Sequence, residues 1–78
     1  MDDTVLDVRG LTCPLPVLRA RKTLKTLSEG ALLTVLATDP SSVKDFQIFC
    51  QQTGYHLETW TEDAEGVFRY SIRKTAGA

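Results

Sequence analysis

Residues 4–27, TVLDVRGLTCPLPVLRARKTLKTL, change period partway along, and the point of change decides the fold. Thr4 to Val8 is short, β-branched and apolar and stops at Arg9-Gly10, the pattern of a strand that ends in a turn. From Pro14 to Leu27 the apolar residues Val17, Ala20, Leu24 and Leu27 recur at steps of three, four and three, which lines one helical face. Cys13 stands at the junction, crowded by Pro14 and Pro16. With Cys13 at the N-cap, Pro14 takes the first helical position, where its missing amide removes no hydrogen bond. A residue before proline is pushed toward extended backbone, which is what an N-cap requires. The stretch therefore predicts strand, turn, helix, with a thiol at the helix mouth.

Outward from there the same patterns continue. Glu29-Gly30 is expected to close the first helix, and Ala31 to Ala37, nearly all apolar, to form an inner strand. Asp39-Pro40 predicts the start of a second helix, with Asp39 capping its free amides. Val43, Phe46, Cys50 and Thr53 give its buried face and Gly54 its end. Tyr55–Thr61 and Val67–Arg73 read as two strands of a hairpin through residues 62–66, with Phe68, Tyr70 and Ile72 on the apolar face. The order β-α-β-α-β-β, with no repeat or linker, predicts one α+β domain over residues 1–78. Its architecture is a two-layer sandwich, a four-stranded mixed sheet with two helices on one face and the other face partly open. Residues 75–78 are expected to fray.

Composition excludes several functions. The 78 residues are 42% hydrophobic and 24% charged with a net charge of −1, a folded domain without global attraction to nucleic acid or anionic membrane. No apolar run approaches a membrane span, and Met1-Asp2-Asp3 is the wrong start for a signal peptide, so the expected location is cytoplasmic. Cys13 and Cys50 alone are no disulfide framework, and one histidine, His56, cannot complete a Cys/His zinc site, so neither metal nor cofactor is expected.

The free amides of Leu15 and Val17 are expected to face the Cys13 sulfur and favour its anion. A helix terminus is worth about 0.3–1 kcal/mol and a pKa unit about 1.4, so the expected lowering from about 8.5 is less than one unit. Arg9 is a candidate to add to it. A thioredoxin-type site would need a second cysteine where Pro16 stands, and His56, at the start of the third strand, reads as a surface residue rather than a base.

The stretches LDVRGLTCPLPVLRARKTL and TDPSSVKDFQIFCQQTGY, followed by a hairpin, resemble the TusA/SirA family of small sulfur carriers. The likeness runs from about Val5 to Lys74 and centres on Cys13-Pro14-Leu15-Pro16, with Gly10 three residues before the cysteine. It implies a two-layer α/β sandwich like the C-terminal domain of a bacterial translation initiation factor. It also implies a persulfide on Cys13, received from a cysteine desulfurase or rhodanese-type donor and passed to an acceptor protein, for tRNA thiolation or cofactor sulfuration. That is a sulfurtransferase-type carrier, not a stand-alone enzyme. Family members in tRNA thiolation tend to carry Arg before the cysteine and Glu between the prolines, where this chain has Thr12 and Leu15.

Arg9, Leu15, Leu18, Arg19 and Lys22 lie away from the buried helical face and form a candidate docking surface for acidic partners; the alternative is that the charges only solvate the helix. Cys50 reads as a small buried hydrophobe. Trp60 reads either as a residue of the open sheet face or as half of an aromatic cross-strand pair. Arg69 and Arg73 read as partners for glutamates. A monomer is expected, with no direct nucleic-acid contact. The competing functions are a binding module, for RNA or protein, using the basic first helix, and a redox-regulated interaction protein.

Overall fold

The computed structural model describes residues 3–75, so the frayed-tail expectation for residues 76–78 lies outside it. Thr75 itself is tied down, its hydroxyl donating to the Gly54 carbonyl at 2.7 Å. The elements are β1 (Asp3–Asp7), α1 (Leu15–Thr26), β2 (Leu32–Ala37), α2 (Ser42–Thr53), β3 (His56–Glu62) and β4 (Phe68–Arg73), in the expected order. They build one four-stranded sheet in the order β1-β2-β4-β3. β1 and β2 are parallel, and β4 runs antiparallel to both β2 and β3.

Register decides which face is buried. Leu33 pairs with Ile72, Val35 with Tyr70 and Ala37 with Phe68, so the inward residues of the two central strands lie side by side. They join one core with Ala20 and Leu24 of α1 and Phe46, Phe49 and Cys50 of α2, so both helices pack on this face. Leu24, Leu33 and Ile72 are fully buried, each such side chain contributing roughly 1.5–3 kcal/mol. Pro16 belongs to this core too, which its placement in the motif did not reveal. The aromatic part is continuous: Phe46 lies 4.6 Å from Tyr70 between ring centroids, and the Tyr70 hydroxyl shares a buried 2.7 Å hydrogen bond with Ser42 Oγ.

Three helix boundaries differ from expectation. Pro14, not Cys13, is the N-cap of α1, because a turn from the Thr12 carbonyl to the Leu15 amide (2.9 Å) occupies the residues that would have capped it. The Cys13–Pro14 peptide is cis. α1 ends at Thr26 with Leu27 extended, before Gly30, because the Leu27 carbonyl accepts Lys74 Nζ at 2.7 Å and draws the chain back toward the sheet. α2 begins at Ser42 with Ser41 as N-cap, and Asp39 does other work. Its C-terminus follows expectation, with Gly54 at φ 84°, a left-handed conformation a β-carbon would disfavour.

A bulge between Leu57 and Thr59 shifts the alternation of β3, so that Trp60 sits opposite Tyr70 on the helix side of the sheet. Its ring stacks 6.4 Å from Tyr70, which is the cross-strand aromatic pair, yet it remains 40% exposed on this edge strand. Arg73 donates to Glu58 at 2.9 Å, as expected of a partner for a glutamate.

Candidate functional site

β1 and β2 are parallel neighbours, so their C-terminal ends lie on one edge of the sheet and the loops leading into α1 and α2 leave side by side. This is the edge at which open α/β sheets place their ligand sites. Two hydrogen bonds sew the loops together: Gly10 N donates to Thr38 Oγ1 at 2.9 Å, and Cys13 N donates to Asp39 Oδ2 at 2.7 Å. Gly10 takes φ +81°, the turn that brings the cysteine to the edge. Asp39 also accepts Ser41 Oγ at 2.8 Å and Ser41 N at 3.3 Å, so it serves as a clamp between the two loops rather than as the cap of α2. These bonds, from the Ser41 side chain first and the Cys13 backbone next, hold its carboxyl below the usual carboxylate range.

The Cys13 thiol is exposed at the mouth of a groove of ≈ 240 Å³ between the helices. Pro14, Val17 and Arg21 form the wall on the α1 side. Asp45, Ile48, Phe49 and Gln52 form the α2 wall. Most of the lining is apolar carbon, with Arg21 and Asp45 as the charged groups.

The thiol's acidity runs opposite to the sequence expectation. Its pKa is raised: hydrogen bonding to the Asp45 carboxylate comes first, then partial desolvation and the Asp45 charge, with Ser41 opposing and the Asp39 charge adding a little. Three things reverse the sign. The Leu15 amide is already donated to Thr12, and Cys13 stands one residue before the N-cap. The third is that Asp45 on α2 accepts a hydrogen bond from the thiol and adds a whole negative charge, which together outweigh the partial charge of a helix mouth. Arg9 does not compensate, since its backbone N, Nε and Nη2 all bond to Asp7 at 2.8–3.0 Å and hold that carboxyl down at about 2.

The other predicted residues divide cleanly. Pro14 and Val17 line the groove with the thiol, Leu15 is exposed, Pro16 is buried in the core, and Gly10 lies in the loop bonded to Thr38, with the helix start one position later than expected. Leu15 and Leu18 are exposed at 41% and 51%, and Arg19 and Lys22 are exposed beside them. Cys50 is buried, and desolvation pushes its thiol up to about 11. His56 pairs with Arg73, which in the adjoining ladder meets Leu32 at the start of β2, so the imidazole sits at the opposite end of the sheet from Cys13. Asp39, Asp45, Arg21 and Ile48 were missed. Asp45, Ile48, Phe49 and Gln52 stand three, four and seven residues apart, one stripe of α2, and that spacing was available as a signal.

The family model described as Sulfurtransferase TusA matches residues 4–74. A sulfur carrier protein TusA from Allochromatium vinosum is 52% identical over 73 residues, covering 94% of this chain and 95% of that protein. A sulfur carrier protein TusA from Pseudomonas putida is 47% identical over 74 residues, covering 95% of this chain and 91% of its own length. Among solved structures, a SirA-like protein from Desulfitobacterium hafniense superimposes with a TM-score of 0.81 at 36% identity, over 96% of this chain and 99% of that one.

Proposed function

The chain belongs to the TusA family, and we propose on that ground that it is a sulfur carrier holding sulfane sulfur as a persulfide on Cys13. The single observation that supports this most is the contrast between its two thiols: Cys13 is exposed at a groove between the helices, and Cys50 is buried. A persulfide on Cys13 extends by one sulfur atom into a groove with apolar walls of Val17, Ile48 and Phe49. Partner proteins reach it from the solvent side.

The cycle has two transfers. A donor's terminal sulfur, on a cysteine desulfurase or a rhodanese-type protein, passes to Cys13, and the loaded carrier yields it to the cysteine of an acceptor. Leu15 and Leu18, flanked by Arg19 and Lys22, provide the apolar contact and positive rim for docking. Ile48, 40% exposed across the groove, extends the patch to α2. We assign the carrier to the cytoplasm, where reducing conditions keep both thiols reduced, and to a monomeric state that frees the docking face for successive partners. Among the described residues no helix is long and apolar enough to cross a membrane.

The test is sulfur loading. Incubation with a cysteine desulfurase and isotopically labelled cysteine should add the mass of one sulfur atom, lost on Cys13→Ala and kept on Cys50→Ala. Label that never reaches Cys13 from a desulfurase or a rhodanese-type donor refutes the assignment. The RNA-binding alternative predicts strongly salt-dependent RNA binding that Cys13→Ser leaves intact.

A further inference from the structure

The carrier assignment leaves a carboxylate unexplained. Asp45 stands in the first turn of α2, half-buried, its backbone N bonded to the Ser41 carbonyl at 3.0 Å, and it lines the same groove as the reactive sulfur. Its side chain enters no salt bridge among the described residues. Asp39 is different, because its oxygens are already occupied by the Cys13 amide and by Ser41. Arg21 is the cation lining the groove, on the α1 wall, and Arg9 is committed to Asp7. The charged and titratable groups facing the thiol are therefore Asp45 from α2, Asp39 from the preceding loop and Arg21 from α1, with the Ser41 hydroxyl beside them.

We propose that Asp45 is the general base for sulfur transfer, holding the proton of the Cys13 thiol in the free carrier and accepting it when the sulfur attacks. The proposal rests on the carrier assignment for its transfer step. In that step a lone pair of Cys13 Sγ attacks the terminal sulfur of the donor persulfide. The new Sγ–S bond forms, the donor's S–S bond breaks, and its electron pair remains on the donor cysteine as a thiolate. The Cys13 proton moves to the Asp45 carboxylate and from there to that thiolate. Cys13–SH and donor–S–SH become Cys13–S–SH and donor–SH, with no external oxidant or reductant. The raised thiol pKa of the free carrier has the direction this arrangement requires. A thiol kept protonated between partners is also less open to oxidation.

The experiment uses the full chain with Cys50→Ala, comparing Asp45 with Asp45→Asn and Asp45→Glu. Iodoacetamide alkylation of Cys13 across pH 6–10, followed by intact mass, gives the thiol midpoint. Transfer from a low-molecular-weight persulfide at pH 6, where Cys13 is held as the thiol, gives the rate per protonated thiol, and thermal melts confirm folding. Asp45→Asn should lower the midpoint and so raise alkylation at neutral pH, while transfer per protonated thiol at pH 6 falls at least about fivefold. Asp45→Glu, which keeps the carboxylate, should restore both toward the parent. A midpoint unmoved in Asp45→Asn overturns the proposal, and so does an unchanged transfer rate per protonated thiol. Should the parent carrier accept no sulfur at all, the carrier assignment fails, while the alkylation midpoint still reports whether Asp45 governs the proton.

Discussion

Replacing Tyr70 by Phe should weaken the anchor that holds α2, and with it the Asp45 wall of the groove, to the sheet. Tyr70 is fully buried at the centre of β4, and its hydroxyl meets Ser42 Oγ at 2.7 Å in the first turn of α2. Phe keeps the ring, so the tilted contact with Phe46 at 4.6 Å and the stack with Trp60 at 6.4 Å survive. What is lost is one partner of a hydrogen bond between side chains that are 0% and 1% exposed, which leaves the Ser42 hydroxyl buried and unsatisfied. The cost of such an orphan is about 1–3 kcal/mol, against a net value nearer 1 for the bond itself. Ser42→Ala should cost a similar amount by orphaning the phenol. The double variant, Ser42→Ala with Tyr70→Phe, removes both polar atoms and should lose clearly less than the sum, with a coupling of about 1 kcal/mol. In a domain this small 1 kcal/mol moves the melting midpoint by roughly 4–8 °C, so thermal and urea unfolding of the four proteins resolve the cycle. Strictly additive losses, or a Tyr70→Phe variant with the parent's stability, would refute the reasoning.

Three further outcomes follow from the site's construction. Under native conditions a small alkylating reagent should modify Cys13 and leave Cys50 untouched, since burial removes access to Cys50 and holds its thiol at about 11; both should react in denaturant, and peptide mass mapping reads the difference. Because the thiol pKa of Cys13 is raised, its native rate should climb with pH beyond the range where an ordinary thiol has levelled off. Gly10→Ala should destabilise by about 1 kcal/mol through backbone strain alone, because φ is +81° and nothing lies within 4 Å of the added carbon. It should also slow sulfur loading of Cys13 by misdirecting the loop, and a melt paired with a loading assay separates the two; unchanged stability and loading together would show that the turn tolerates a side chain.

Much of this protein was legible in its residue order because the relevant forces act locally. The steps of three and four in Val17, Ala20, Leu24 and in Phe46, Cys50, and the alternation of Phe68, Tyr70 and Ile72, record which side of each element leaves water. Cys13-Pro14-Leu15-Pro16 announced the reactive thiol for the same reason, as neighbours in sequence. Local signals failed where a distant group competes for the backbone. Asp39 looks like a helix cap until the Cys13 amide, 26 residues earlier, arrives to take its oxygen. Trp60 looks outward until a bulge at its own strand reverses the alternation. The sign of the shift at Cys13 belongs to the same class. A helix mouth alone would acidify the thiol, but parallel pairing of β1 with β2 brings the start of α2 to the sulfur, and the carboxylates it carries retain the proton instead. Chain order determined that there is an exposed thiol and what holds it up; only the meeting of two loops in space decided how tightly that thiol keeps its hydrogen, because charge acts through distance and not through sequence separation.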